Sequence, residues 1–353
     1  MSVNRKVLVE KLELVAPAAN PGSFVPDFQN VHFNGEILAT SDGIVSIFAD
    51  NPLLEVQDGR KTQVPSFSVP ADAFLNLLQT LDTEEISLEI KNENLVVKTK
   101  KIEGKFKIGK AMDCPIASSK ESISTGIENL VEGLRMCRFG VCKEKTSGTI
   151  SGVRIDFSKV YSTDRWRAYR YDLGISSGLS PVTVPTKFID IVLRNQERIE
   201  SFGINELDKF YVLLKNNTLI ETSVYPGDFP PVESYFENVN MDGFLELIFE
   251  AELKDILEKH LKTHLDRTDF FNREIRISVK GKICTLFSES KNKGELIEGT
   301  ELKEEVGEFE FLVNPSLLQE VLQHSKGKFL YHPEVNLILI CADRLQVLIQ
   351  TKE

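Results

Sequence analysis

Ser68-Val-Pro-Ala-Asp-Ala-Phe-Leu-Asn-Leu-Leu-Gln79 opens on a short apolar run, passes through a proline and continues as an amphipathic helix. The same pattern returns in Thr183-Val-Pro-Thr-Lys-Phe-Ile-Asp-Ile-Val-Leu-Arg194 and in Leu312-Val-Asn-Pro-Ser-Leu-Leu-Gln-Glu-Val-Leu-Gln323. Each reads as a strand end, then a proline near the first helical position, where its missing N–H has no intrahelical partner to lose. A pattern repeated at long, near-equal intervals signals a structural repeat, and its reading decides the fold.

The flanks repeat as well. Short alternating strands follow each proline-led helix: 86–90, 94–99 and 104–108 after the first, 210–214 and 218–222 after the second, 329–332, 336–340 and 344–349 after the third. Upstream of each lies another amphipathic helix (5–16, 127–138, 252–265) and then hairpin-like strands (31–48, 149–162, 274–288). The chain therefore reads as α+β, with three units of two helices and antiparallel strands at 1–117, 118–238 and 239–353. The polar stretches at Ala117-Ser-Ser-Lys-Glu-Ser and Glu237-Asn-Val-Asn serve as the expected linkers.

Composition excludes several classes. With 353 residues, 41% hydrophobic and 27% charged, the chain suits a globular protein of more than one domain. No apolar run reaches the ~18 residues of a membrane span, and charges at Arg5, Lys6, Glu10, Lys11 and Glu13 break any signal-peptide core, so a cytoplasmic location is expected. Cys114, Cys137, Cys142, Cys284 and Cys341 are odd in number, spread out and mostly in apolar runs, the pattern of reduced core cysteines. A net charge of −11 argues against an overall basic nucleic-acid binder but leaves room for a local basic surface.

Three motifs in the middle unit carry a family resemblance: Ser151-Gly-Val-Arg-Ile-Asp-Phe157, Tyr161-Ser-Thr-Asp-Arg-Trp-Arg-Ala168 and the Pro226-Gly-Asp-Phe-Pro230 turn. With the threefold repeat, they resemble the bacterial DNA polymerase III beta subunit, the sliding clamp, over essentially the whole chain. The resemblance implies three DNA-clamp domains per chain, closing as a head-to-tail homodimeric ring whose helices line a hole holding double-stranded DNA. It implies a non-catalytic processivity subunit without a cofactor, and partners that are a polymerase and a clamp loader bound through short peptides. A ring needs only weak, sequence-independent phosphate contacts, because topology prevents escape.

On the helix Ile127–Arg138 the apolar face is Ile127, Leu130, Val131, Leu134 and Cys137, leaving Arg135 and Arg138 on the polar side, with Lys143 and Lys145 following. On the second proline-led helix Lys187 and Arg194 lie opposite Phe188, Ile189 and Val192. Arg5, Lys6 and Lys11 are the candidates in the first unit, and Lys254, Lys259 and Lys262 in the third. The competing reading is a solvated face, since Glu128, Glu132, Asp190 and Glu258 are interspersed. The other proline-led helices carry Asp72, Asn76, Gln79, Gln319 and Gln323 instead of lysines.

The resemblance also implies a hydrophobic partner-peptide cleft near the C-terminus. Its matching positions are Ile150, Thr163, Arg165, Trp166, Arg167 and Ala168, with Val347, Leu348, Ile349, Gln350, Thr351 and Lys352. Two departures bear on specificity. The family ends in a methionine-rich run where this chain has Ile349-Gln-Thr-Lys-Glu353, and Arg165 and Trp166 replace the family's glycine and histidine. Trp166 is then either a peptide anchor or a core residue. For the ring interface the resemblance points to Phe106 and Ile108 against the helix end at His264 and Leu265; alternatively, Phe106 and Ile108 face their own core.

Catalytic motifs are weak. Gly104-Lys-Phe-Lys-Ile-Gly-Lys-Ala111 mimics a phosphate loop but ends in alanine and alternates like a strand. His260 and His264 have zinc spacing but no evident third ligand, and Cys137 and Cys142 have no second pair. The alternative function is a non-ring interaction scaffold on the same fold.

Overall fold

The computed structural model describes residues 1–54, 56–57, 60–61, 65–113, 116–144, 146–263, 273–290 and 294–352. Within these lie helices α1 (Arg5–Val15), α2 (Ala71–Thr80), α3 (Ile127–Cys137), α4 (Thr186–Arg194), α5 (Val232–Glu237), α6 (Leu253–Thr263) and α7 (Pro315–His324). Every named strand pairing is antiparallel. No helix among the described residues is long and apolar enough to cross a membrane.

The chain divides into two compact units, Met1–Ile127 with Lys187–Val224, and Glu128–Thr186 with Tyr225–Glu353. Each holds one eight-stranded and one four-stranded sheet. In the first unit, the eight-stranded order is 119–123, 199–205, 210–214, 219–222, 45–50, 37–41, 30–34 and 67–70. In the second it is 182–185, 152–156, 159–163, 167–172, 345–350, 337–342, 328–332 and 245–246. The middle sequence repeat is thus shared. Its later strands pair with the first repeat through Ile220↔Ile47, and its earlier strands pair with the third through Ala168↔Leu348.

Local chemistry accounts for the helices. Asn4 and Asn314 cap α1 and α7, each side-chain oxygen accepting two backbone N–H groups. Pro315 occupies the first turn of α7 as expected, whereas Pro70 and Pro185 close the preceding strands, one residue before α2 and α4. Those two strands are the outermost of their sheets, where a missing N–H costs no ladder bond. In α3 the buried face is Leu130, Val131, Gly133, Leu134 and Cys137, close to the expected stripe. Gly133 permits the close approach, because a Cβ there would lie 2.9 Å from Val160 Cγ2.

The polar stretch expected as the first linker is partly a strand, Ser119–Ile123, paired with Ile199–Asn205. It lies at a sheet edge and is mostly exposed, so backbone pairing, not apolar alternation, holds it. Glu103–Lys107 is a strand paired with Asn94–Lys98, which rules out a phosphate cradle at Gly104. Cys137 and Cys284 are buried, and Cys142 and Cys341 half-buried; all four are free thiols. Cys114 lies outside the described residues.

Candidate partner-peptide cleft and basic surface

The site begins with the turn from Lys159–Thr163 to Arg167–Asp172. Asp164 Oδ1 accepts the backbone N–H groups of Trp166 at 3.0 Å and Arg167 at 2.7 Å, and Thr163 Oγ1 accepts that of Arg165 at 3.2 Å. This winding sets Arg165 at φ +77°, the left-handed region that favours glycine. The Arg167 side chain is 1% exposed. It donates to Asp164 Oδ2 at 3.0 Å, Glu320 Oε2 at 2.8 Å and the Phe139 carbonyl at 3.0 Å. Burial pulls its pKa down, but Tyr169, Asp164 and Glu320 outweigh burial and hold it above the ordinary arginine value.

Beside this turn opens a cleft of about 700 Å³. Its floor is strand residues Thr163, Ala168, Leu337 and Leu348; the register Thr163↔Ala168↔Leu348 places three of them on one face. One wall is Ser147 and Ile150, and the other is Pro230, Tyr235, Asn238 and Val239 around α5. Val232 and Phe236 of α5 pack on Tyr161, Ala168, Leu339 and Leu348, fixing that wall. Glu233 bolts it to the sheet, accepting Tyr161 Oη at 2.7 Å, Arg170 Nη1 at 3.1 Å and Lys159. Burial raises the Glu233 pKa, but these three donors outweigh it and hold the carboxyl below its usual value.

Of the expected cleft positions, Ile150, Thr163, Arg165, Trp166, Arg167, Ala168, Leu348 and Gln350 come together here. Trp166, 42% exposed at the rim, is not a core residue. It also lines a smaller groove with Ile349, Gln350 and Lys352, whose ammonium lies 5.9 Å from the indole centroid. Val347 and Thr351 are buried instead, Val347 because strand alternation turns it away from Leu348 and Gln350. Sequence reasoning missed Pro230, Tyr235, Asn238, Val239, Val335 and Leu337. The i, i+4 pair Val232 and Phe236 was the available signal for α5.

Most expected DNA-facing residues are engaged. Arg5 caps the end of α2, donating to the carbonyls of Thr83 at 2.8 Å and Leu78 at 3.1 Å. Lys6 pairs with Glu84, Arg135 with Glu132, Lys143 with Glu320 and Lys187 with Asp42, at 2.7, 2.9, 3.7 and 2.6 Å. Lys254 meets Glu252 at 3.7 Å, Lys259 meets Glu298 at 2.6 Å, and Lys262 pairs with Glu258. Arg138 lies over the Phe139 ring, Lys11 is half-buried and Arg194 is exposed. The pairs of Lys6, Arg135, Lys254 and Lys262 are exposed on both sides and contribute about 0–1 kcal/mol each, whereas the carboxylates facing Lys143, Lys187 and Lys259 are partly or largely buried. Lys145 lies outside the described residues.

Phe106 packs edge-on against Phe74 with centroids 5.5 Å apart, and Ile108 is half-buried. His264 and Leu265 lie outside the described residues. His260 is buried and its Nδ1 bonds Ser288 Oγ at 2.6 Å. Among the described residues no cluster of three His, Cys, Asp or Glu could hold a metal.

No family model matches the chain, and no curated protein does. Solved structures are similar over its full length. A DNA polymerase III subunit beta from Pseudomonas aeruginosa aligns at TM-score 0.84 and 17% identity, covering 100% of this chain and 99% of that one. A DNA polymerase sliding clamp from Bacillus subtilis aligns at 0.81 and 19%, covering 100% and 98%. A DnaN sliding clamp from Pseudomonas aeruginosa bound to griselimycin aligns at 0.83 and 16%, covering 100% and 99%. The chain thus has the α+β fold of the bacterial DNA polymerase III beta subunits, the sliding clamps.

Proposed function

We propose that the protein is a sliding clamp: a non-catalytic, cytoplasmic subunit that encircles duplex DNA and tethers a polymerase for processive synthesis. The observation that carries this reading is the end-to-end likeness to clamps, with nearly nothing left over in either chain. Three clamp domains, at 1–117, 118–238 and 239–353, suit closure of two chains into a ring. Two sheet edges support such closure: among the described residues, Glu103–Lys107 and Gly294–Glu301 each have one neighbour in their four-stranded sheets. Pairing one chain's first edge with its partner's second would satisfy both rows of backbone groups. The basic helical residues serve as weak, exchangeable phosphate contacts. The apolar cleft receives short peptides of polymerase and clamp loader.

The test is topological. The protein is loaded on nicked circular plasmid with a bacterial clamp loader and ATP, and the DNA is then linearised. Retention on circles and loss on linear DNA is expected; equal retention on both refutes encirclement. A scaffold that does not encircle DNA is the second reading, favoured by the carboxylates that pair Lys6, Arg135, Lys187 and Lys259. It predicts a monomer and no loading.

A further inference from the structure

We infer that Arg165 determines which peptides the cleft accepts, by binding a carboxylate on an otherwise apolar ligand. The inference rests on the peptide-cleft reading and gives its ligand a chemical class.

The first observation is an internal comparison. The turn Thr163-Asp164-Arg165-Trp166 has a twin in Ser41-Asp42-Gly43-Ile44 of the other compact unit. Asp42 Oδ1 accepts from Ile44 and Val45 N–H at 2.9 and 2.8 Å, as Asp164 does from Trp166 and Arg167. The strands behind agree too: Ser223 N–H bonds the Ile44 carbonyl at 2.9 Å, and Gln350 N–H that of Trp166 at 3.0 Å. The third residue is left-handed in both, φ +87° at Gly43 and φ +77° at Arg165. Glycine takes that conformation freely; arginine holds it under strain. A strained residue where the twin shows glycine suffices points to a side chain kept for a purpose.

The second observation is what each turn faces. A Cβ on Gly43 would lie 2.8 Å from Phe28 Cζ, so the chain's own side chain fills that space. Arg165 instead is exposed and lines the cleft. The third is charge. Among the described residues no carboxylate lines the cleft, and the Arg167 guanidinium already binds Asp164 and Glu320. Arg165 is exposed and has no ion-pair partner among the described residues. A guanidinium beside an apolar floor offers a charge-assisted, two-pronged site for an aspartate, a glutamate or a terminal carboxylate.

The probes are fluorescein-labelled, amidated pentapeptides of leucine and phenylalanine with one aspartate at each position in turn, and the same set with asparagine. Anisotropy titrations use the full chain. The best aspartate peptide should bind about tenfold tighter than its asparagine twin, the worth of one added charge-assisted contact. R165G should bring the twins within twofold of each other, and R165K should keep part of the preference. R165G is expected to fold, since Gly43 makes the same turn, and its circular dichroism and melting are checked first. Equal binding of the twins by the parent chain, or a preference that survives in R165G, overturns the role of Arg165 and leaves the cleft reading standing. Binding of neither set overturns the cleft reading and this inference together.

Discussion

Replacing Arg167 with methionine keeps most of the side-chain volume and removes the charge. The guanidinium reaches Asp164, Glu320 and the carbonyls of Phe139 and Leu317, the last at 3.4 Å. Charge-assisted bonds at about 1.5–3 kcal/mol each would sum to more than most domains can lose. Two effects reduce the sum. Asp164 and Glu320 are 12% and 24% exposed, so water recovers part of their solvation. The cost of burying the arginine also disappears. Breaking a buried pair from one side usually costs about 3–5 kcal/mol, and we expect Arg167→Met to fall there. For a unit of this size that lowers Tm by roughly 6–20 °C. Urea denaturation and scanning calorimetry measure it, and a double-mutant cycle with Glu320→Gln should show coupling above about 1 kcal/mol. A loss under about 1 kcal/mol, or no coupling, would refute the reasoning that this network holds the turn.

Three further outcomes follow from the same geometry. Glu233→Gln should destabilise the protein at neutral pH and flatten its acid dependence: the carboxyl's folded pKa lies below its ordinary 4.5, so its contribution is complete above 4.5 and lost as pH falls through the folded value; urea midpoints between pH 3 and 7 check this. Trp166→Ala should cost about 2 kcal/mol, or roughly thirtyfold, in peptide affinity with little change in stability, because the indole is 42% exposed; titrating the pentapeptide probes decides it. Reversing Arg135, Arg138 and Lys187 to glutamate should shorten retention on circular DNA, most at low salt; unchanged retention removes these residues from the DNA surface. Lys187→Glu adds a separate loss, since Asp42 is 8% exposed and pairs with that lysine.

The repeating pattern was legible because helix stripes and strand faces are buried, and burial writes a local period of 3.6 or 2 into the chain. Leu130, Val131, Leu134 and Cys137 were readable for that reason. The cleft was half legible. Its floor and rim lie in one conspicuous motif, Thr163 to Ala168, and in the last strand. Its outer wall stands on α5, one and a half turns long, too short to show a period. Strand alternation divides the last strand: Val347 and Leu348 are neighbours in sequence, yet only Leu348 reaches the cleft.

By itself, then, the sequence showed the recurring helix stripes and alternating strands and the motif around Asp164, but neither α5 nor the strand Ser119–Ile123. Only the tertiary structure decided that the middle repeat is divided, half its strands joining the first repeat and half the third. It alone revealed that Gly43 and Arg165 occupy the same turn, one against Phe28 and the other lining the cleft. It also paired Arg167 with Glu320 across 153 residues of chain. The physical reason is range. Periodicity and capping act over a few residues, whereas strand pairing between repeats, the filling of a cavity and the choice of ion-pair partner depend on groups far apart in the chain that only folding brings together.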